Sequence, residues 1–282
     1  MSLFHKSERQ IITLNGDNPA GFLHDIVTAN STSIAIGEMR QSCLLSPQGR
    51  ILFEIGLYPK SDDEILIEID ANQADEFMRK LQLYKLRRKI TITKNDDLAI
   101  LAGFDEKPDM PAFFATDTRH KDMGWLGIIS KDHITNMPFD DEDSYHAKRI
   151  SLAVPEGARD LTPNRALMLE AGLEITNAVD FQKGCYIGQE VTARTRYRGL
   201  VKRRLVPVIG DKIETGMVIT SDNKEVGIIH SVASYDNAMI GLASIKLVSL
   251  LAGDKNEADL ETETTKLSLA IPPHLRPLPE PS

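Results

Sequence analysis

From Leu205 onwards the chain is written in short β-type runs, and this texture limits the fold more than any other feature. "RLVPVIG", "GMVIT", "EVGIIHSVAS", "NAMIGLASIK" and "TKLSLAIP" are rich in β-branched residues and are separated by glycine and Asp/Asn turns. Runs this short leave unpaired edges, and an all-β region removes them by closing into a small barrel or packing as a sandwich. Upstream the pattern is mixed. "RQIITLNG" reads as a strand, and "DNPAGFLHDIVTAN" as a helix with Asp17 as N-cap and Phe22, Leu23, Ile26 and Val27 on one face. "EMRQSCLLSPQGRILFEIGLYP" reads as two strands turning at Pro47 to Gly49, and "SDDEILIEID" as a third. "NQADEFMRKLQLYKLRRK" reads as a helix with Phe77, Leu81, Tyr84 and Leu86 facing inward, before the short strands "ITIT" and "LAILAGF". Strands returning around a helix in this order predict an α+β sandwich.

The middle segment, "KPDMPAFFATDTRHKDMGW", is turn-rich and reads as a subdomain junction, with Trp125 in an edge hairpin. "DEDSYHAKRISLAVP" reads as a helix stopped by Pro155, and the proline-rich end "PPHLRPLPEPS" as a loosely attached tail. A length of 282 residues suggests two domains, or three small ones. No window approaches the roughly 18 uncharged apolar residues of a membrane span. The start "MSLFHKSERQ" lacks the apolar core of a secretory signal and carries Glu8, against a transit peptide. Cys43 and Cys185, far apart, make neither a disulfide framework nor a zinc spacing, which predicts a reducing cytoplasm and no metal site.

The net charge of −8 argues against a protein built around nucleic acid. Positive charge is nevertheless concentrated. "RTRYRGLVKRR" holds Arg194, Arg196, Arg198, Lys202, Arg203 and Arg204, and "KLRRK" holds Lys85, Arg87, Arg88 and Lys89, neither run with an acid. Each is either a solvated face or a local field for a small polyanion. The first follows "KGCYIGQEV", where Cys185 lies between glycines near the predicted start of a helix. There the helix dipole and nearby cations favour a thiolate. That suits a nucleophile, a redox thiol or a soft-metal ligand; a free cysteine is equally often a small buried hydrophobe. Glu190 falls in the first helical turn, where a carboxylate is favoured with or without a ligand. Two cysteines cannot supply a four-thiolate iron–sulfur cluster.

The segment "VDFQKGCYIGQEVTARTRYRGLVKRRL" resembles the signature of the YgfZ-type folate-binding proteins, relatives of the glycine-cleavage T-protein (aminomethyltransferase) that act in iron–sulfur cluster maturation or repair. "GFLHDIVTAN", "LLSPQGRILFEIGLY" and "LEAGLEITNAVDF" resemble further family segments, so the likeness covers all but the tail. It implies an α+β fold of two interleaved ferredoxin-like domains and a C-terminal β-barrel. On this chain domain A covers about 1–45 plus 110–200, domain B about 46–109, the barrel 201–272 and the Pro-rich tail 273–282. It also implies a tetrahydrofolate cofactor, with Glu170 receiving the pterin N–H groups. Arg194, Arg196 and Arg198 would draw the glutamyl tail. Lys183, Gly184, Tyr186, Gly188, Gln189 and Glu190 would complete the binding residues around Cys185, the functional thiol. Partners would be iron–sulfur client enzymes or cluster carriers, with indirect effects on tRNA-modifying iron–sulfur enzymes.

The chain departs from the transferases at their Asp-Asp step, where Leu52 and Phe53 stand. Glu54 is adjacent, but one residue along a strand points to the opposite face. Loss of that carboxylate removes the group best placed to move protons at the folate nitrogens. The expected function is therefore a folate-binding accessory protein in iron–sulfur assembly or repair. The alternative is a tetrahydrofolate-dependent one-carbon transferase on an unknown acceptor. RNA binding by the 194–204 cluster is the weakest reading, since stacking aromatics other than Tyr197 are missing there.

Overall fold

The computed structural model describes residues 2–255 and 259–280 and divides into two compact units. Unit 1 comprises residues 1–142 and 176–189, and unit 2 residues 143–175 and 190–282.

Unit 1 carries β1 (Phe4–His5), β2 (Arg9–Gly16), α1 (Pro19–His24), β3 (Glu38–Leu45), β4 (Ile51–Ser61), β5 (Glu64–Asp70), α2 (Ala74–Lys85), β6 (Ile90–Asn95), β7 (Leu98–Gly103), β8 (Phe113–Asp117) and β9 (Trp125–Ser130). These strands form one sheet in the order β1-β7-β9-β8-β3-β4-β5-β2-β6. Alternation drives β2 and β4 to β6: every second residue, among them Ile12, Leu14, Phe53, Ile55 and Ile67, enters a core that Phe77 and Leu81 of α2 complete. Helix α2 supplies Phe77 and Leu81 as its periodicity predicts, and Phe53 meets Phe77 at 5.3 Å between ring centroids. Leu86, expected inward, is exposed instead, because the helix ends at Lys85 and the chain leaves the helical face there.

Helix α1 is shorter than predicted. Its cap is Asn18, not Asp17: Asn18 adopts a left-handed conformation and its side chain accepts from Gly21 N at 2.9 Å. Ile26 and Val27 are buried, but beyond the helix end. The turn-rich segment hides β8, and Trp125 lies in an interior strand, since β9 is paired on both sides by β7 and β8. Its buried ring stands edge-on to Phe114 at 5.2 Å.

Unit 2 carries most of α3 (Glu142–Ser151), then α4 (Gly157–Asp160), most of α5 (Gln189–Tyr197), β10 (Arg203–Gly210), β11 (Val218–Ser221), β12 (Lys224–Tyr235), β13 (Ala238–Lys246), α6 (Leu247–Asp254), β14 (Leu260–Glu261) and β15 (Lys266–Leu269). The strands close into a barrel, β10-β13-β12-β11-β14-β15, which resolves barrel against sandwich. Helix α3 ends before Pro155, at Ser151, because Ala153 turns to φ 51. The tail is tied down over its described residues. Arg276 holds Asp254 through two hydrogen bonds of 2.6 and 2.7 Å, His274 Nε2 lies 3.0 Å from Leu152 O, and Leu275 and Leu278 are buried.

Candidate functional site

The Cys185 loop closes unit 1, and its construction starts at Thr28. Thr28 exchanges backbone and side-chain hydrogen bonds with Cys43, donates Oγ1–H to Ala178 O at 2.6 Å, and accepts Asp180 N at its carbonyl at 3.0 Å. Asp180 Oδ1 then accepts Gln182 N at 2.7 Å and Lys183 N at 3.2 Å, which turns the chain. Lys183 is buried, and its Nζ donates to the carbonyls of His24 (2.6 Å), Val27 (2.6 Å) and Ala29 (3.0 Å). Three donors of an ammonium meet three acceptors. Burial draws its pKa down to about 8, opposed by Asp180 and Asp25, so the amine is charged at neutral pH.

Beyond the thiol the chain is anchored again. Tyr186 is buried with its ring 5.1 Å from Lys183 Nζ, and Ile187 packs on the unit 1 core. Gly188, at φ 81, lies so near β3 that a Cβ there would come within 2.6 Å of Ser46 O. The Tyr186 hydroxyl is buried with no hydrogen-bond partner among the described residues. Burial, then Asp180 and Cys43, push its pKa up to about 12. Between these anchors Gly184 and Cys185 are exposed, while Cys43 is buried with its pKa raised, first by burial and then by Glu54. Cys185 is thus an outward thiol on a pinned backbone. It precedes the helix by four residues, since α5 begins at Gln189, so the dipole of the first turn does not reach it as expected.

The remaining predicted residues fall into two groups. Lys183, Gly184, Tyr186 and Gly188 stand with Cys185 in unit 1, with Gln189 as its last residue. Glu170, Glu190, Arg194, Arg196 and Arg198 belong to unit 2. Glu190, Arg194 and Arg196 are exposed on α5, and Arg198 is exposed in the turn just after it. The same basic run changes character further on. Arg204 is fully buried and donates to Leu169 O (2.5 Å) and Glu174 (2.7 Å), and Arg203 donates to Ser244 Oγ at 3.1 Å.

Glu170 is half-buried at the edge of a cavity of about 420 Å³ within unit 2. Arg165, Arg203, His230 and Asp160 supply its other charged or titratable groups, and Leu167, Leu205 and Ile228 its apolar surface. Asp160 is committed: it accepts Arg149 Nη1 at 2.5 Å and Ser231 Oγ at 2.6 Å. Burial lowers the pKa of His230, with Asp160 opposing and Arg203 assisting. Among the described residues, Glu170 Oε1 accepts only a long 3.4 Å contact from Lys202 N, which leaves carboxylate capacity for further donors. The cavity therefore fits the amide-like N–H edge of a pterin. Arg165, Arg203 and His230 are spread over 66 positions, and no local pattern marks them.

At the former Asp-Asp step, Phe53 is in the core and Leu52 packs against it. Glu54 lies on the other face, holding Gln41 Nε2 (2.9 Å) and Arg9 Nη2 (3.0 Å). Arg9 in turn reaches Glu68, which also binds Lys6 and Tyr58.

No family model matches the chain. It is 34% identical over 219 residues to a protein of Pyricularia oryzae named iron–sulfur cluster assembly factor IBA57 homolog, mitochondrial, covering 71% of this chain and 55% of that one. Identity to human IBA57, of the same designation, is 31% over 232 residues, 73% of this chain and 65% of that one. For the mouse protein it is 32% over 233 residues with the same coverage. The chain spans between about half and two thirds of these relatives' lengths. Their mitochondrial designation overturns the cytoplasmic expectation. Two isolated cysteines indicate a reducing environment, and nothing in that chemistry separates one reducing compartment from another. The crystal structure of glycine cleavage system aminomethyltransferase T from Bartonella henselae is similar in fold, with a TM-score of 0.77 at 16% identity, over 97% of this chain and 86% of that one. The fold is thus α+β with a C-terminal barrel, in the T-protein arrangement. Among the described residues no helix is long and apolar enough to cross a membrane.

Proposed function

We propose that this chain belongs with the IBA57 and YgfZ-type iron–sulfur assembly proteins and acts in cluster assembly or repair, with Cys185 as its working thiol. The observation that carries this reading is the exposed Cys185 between buried anchors: Lys183 on three carbonyls, Tyr186, and Gly188 against β3. A thiol that only filled space would be turned inward, as Cys43 is. Pinning its neighbours lowers the entropy lost when the sulfur engages a cluster, a redox partner or a carrier. Tetrahydrofolate would be bound by Glu170 and the cavity around it, with Arg165, or Arg194 and Arg196 on α5 and Arg198 just beyond it, attracting its glutamyl tail. The cofactor supplies a pterin that carries one-carbon units and reducing equivalents; the chain's share is to orient and retain it. tRNA-modifying iron–sulfur enzymes would be among the clients downstream.

One-carbon transfer fits less well. The residues at the transferases' acidic step are Leu52 and Phe53, and Glu54 faces away, committed to Arg9 and Gln41. Client-enzyme activity in cells carrying only Cys185→Ala tests the thiol: the expected result is loss, and full activity would remove its role. Calorimetric titration of wild type and Glu170→Ala with tetrahydrofolate, followed by mass spectrometry of the recovered folate, tests the cofactor. Saturable binding weakened in the variant, with folate unchanged, is expected. Folate altered by a one-carbon unit would establish the transferase instead.

A further inference from the structure

The second basic run is not used by any part of the site described above. Residues 79–89, "RKLQLYKLRRK", hold Arg79, Lys80, Lys85, Arg87, Arg88 and Lys89 without an acid, on a chain of net charge −8. They form the C-terminal half of α2 and its exit. Lys85 Nζ is used by Ile90 O at 2.6 Å, and Arg88 by Asp25 at 2.5 Å. Arg79, Arg87 and Lys89 face solvent together with two leucines, Leu83 at 73% exposure and Leu86 at 82%. Leu86 also holds φ 51, a left-handed conformation that costs a leucine energy and that packing does not offset here. Beside Leu83 runs a cavity of about 570 Å³ lined by Asp75, Met78, Arg79 and Gln82, with Asp75 paired to Lys94 at 3.2 Å. Single exposed leucines are ordinary. Two of them with a groove and a cationic rim have the composition of an interface core and its surround.

This face adjoins the thiol within unit 1. Arg88 binds Asp25, whose neighbour His24 accepts Lys183 Nζ at its carbonyl. His24 Nε2 lies 3.8 Å from the position a Cβ would take on Gly184. The end of α1 therefore joins the basic leucine face to the Cys185 loop. We infer that Leu83, Leu86, Arg79, Arg87 and Lys89 form the docking surface for an acidic, cluster-bearing protein that meets Cys185. This inference rests on Cys185 being the working thiol. Charge complementarity sets the sign of the partner. Ligand count sets its kind: a cluster normally takes four protein ligands, Cys185 supplies one, and a partner bringing the others must be held while the cluster is shared. Two leucines bury too little to anchor the chain on lipid.

A photo-crosslinking residue at position 83 of the full chain in cells, with position 248 as control, tests this; Val248 is likewise exposed, but on α6 of unit 2. The expected result is a light-dependent adduct from position 83 alone, with an acidic protein that carries cluster-ligating cysteines. That protein, purified, is then titrated against wild type, L83D/L86D and R87E/K89E. Affinity should fall about tenfold or more in both variants and fall with salt in wild type, while Ellman titration of Cys185 stays unchanged. No adduct, or wild-type affinity in both variants, overturns the proposal. So does wild-type but not L83D/L86D co-sedimentation with phosphatidylcholine vesicles containing phosphatidylglycerol, which would make the face a membrane contact. An adduct alongside a fully active Cys185→Ala strain sinks the thiol reading and leaves the docking face; a missing adduct alongside an inactive strain does the reverse.

Discussion

Lys183→Met separates a pinned thiol from one on a loose loop. The substitution keeps the length of an apolar stem and removes the ammonium from three carbonyls. The contact with His24 O is part-buried, so water can replace it; those with Val27 O and Ala29 O are buried. Each buried acceptor left without a donor costs about 1–2 kcal/mol, so unit 1 should lose about 2–4 kcal/mol. For a unit of this size that lowers the melting temperature by about 5–15 °C. Trp125, the single tryptophan, is buried in unit 1 and reports its unfolding by fluorescence. Amide exchange over residues 181–188 should accelerate in parallel, and Lys183→Arg should restore little, because a planar guanidinium does not match three converging carbonyls. The pH dependence adds a check. The pKa of Lys183 is lowered from 10.5 to about 8, so the unfolded chain holds more protons between those values. Desolvation of the ammonium thus offsets part of what its hydrogen bonds contribute, and stability rises with pH between about 8 and 10.5, a slope that Lys183→Met should lack. A variant within about 0.5 kcal/mol of wild type, with unchanged exchange, would refute the latch.

Gly188→Ala should destabilise unit 1 by about 2 kcal/mol and displace the loop, since the positive φ and a 2.6 Å approach to Ser46 O both oppose a methyl group; urea unfolding read at Trp125 measures it. His146, in unit 2, accepts Arg149 Nε at 2.8 Å on one ring nitrogen and has Arg159 3.1 Å from the other. Burial first, then Arg149 and Arg159 against Glu156 and Asp160, lower its pKa to about 4. A depressed pKa means that stability from His146 is full above pH 6.5 and lost as pH falls through 4, by about 3 kcal/mol at most. Circular dichroism melts of wild type and His146→Gln between pH 4 and 7 should show the difference curve flattening above 6.5.

Much of the molecule is visible in the chain itself because much of it is local. The apolar strand runs of β4 to β6, the Phe77 and Leu81 stripe of α2 and the turn-punctuated β segments after Leu205 depend on neighbours a few positions away. The glycine-bracketed "KGCYIG" motif singles out Cys185 as a candidate in the same way. Where prediction failed, the deciding contact lay far off: Trp125 reads as an edge residue until β7 and β8 pair on either side of it, and the tail reads as loose until Arg276 meets Asp254.

The charged residues show the division most sharply. Composition and motif mark Lys183, Arg204 and Glu170 as notable, but a charge reads the same on paper whether it faces water or a carbonyl. Only the fold brings Lys183 to acceptors 154 to 159 positions away, buries Arg204 against Leu169 and Glu174, and opens a cavity beside Glu170. Local sequence settles which element forms, because backbone preference and periodicity act within a few residues. The use of each charge is settled by long-range closure, because desolvation and hydrogen-bond partners exist only once distant segments have met.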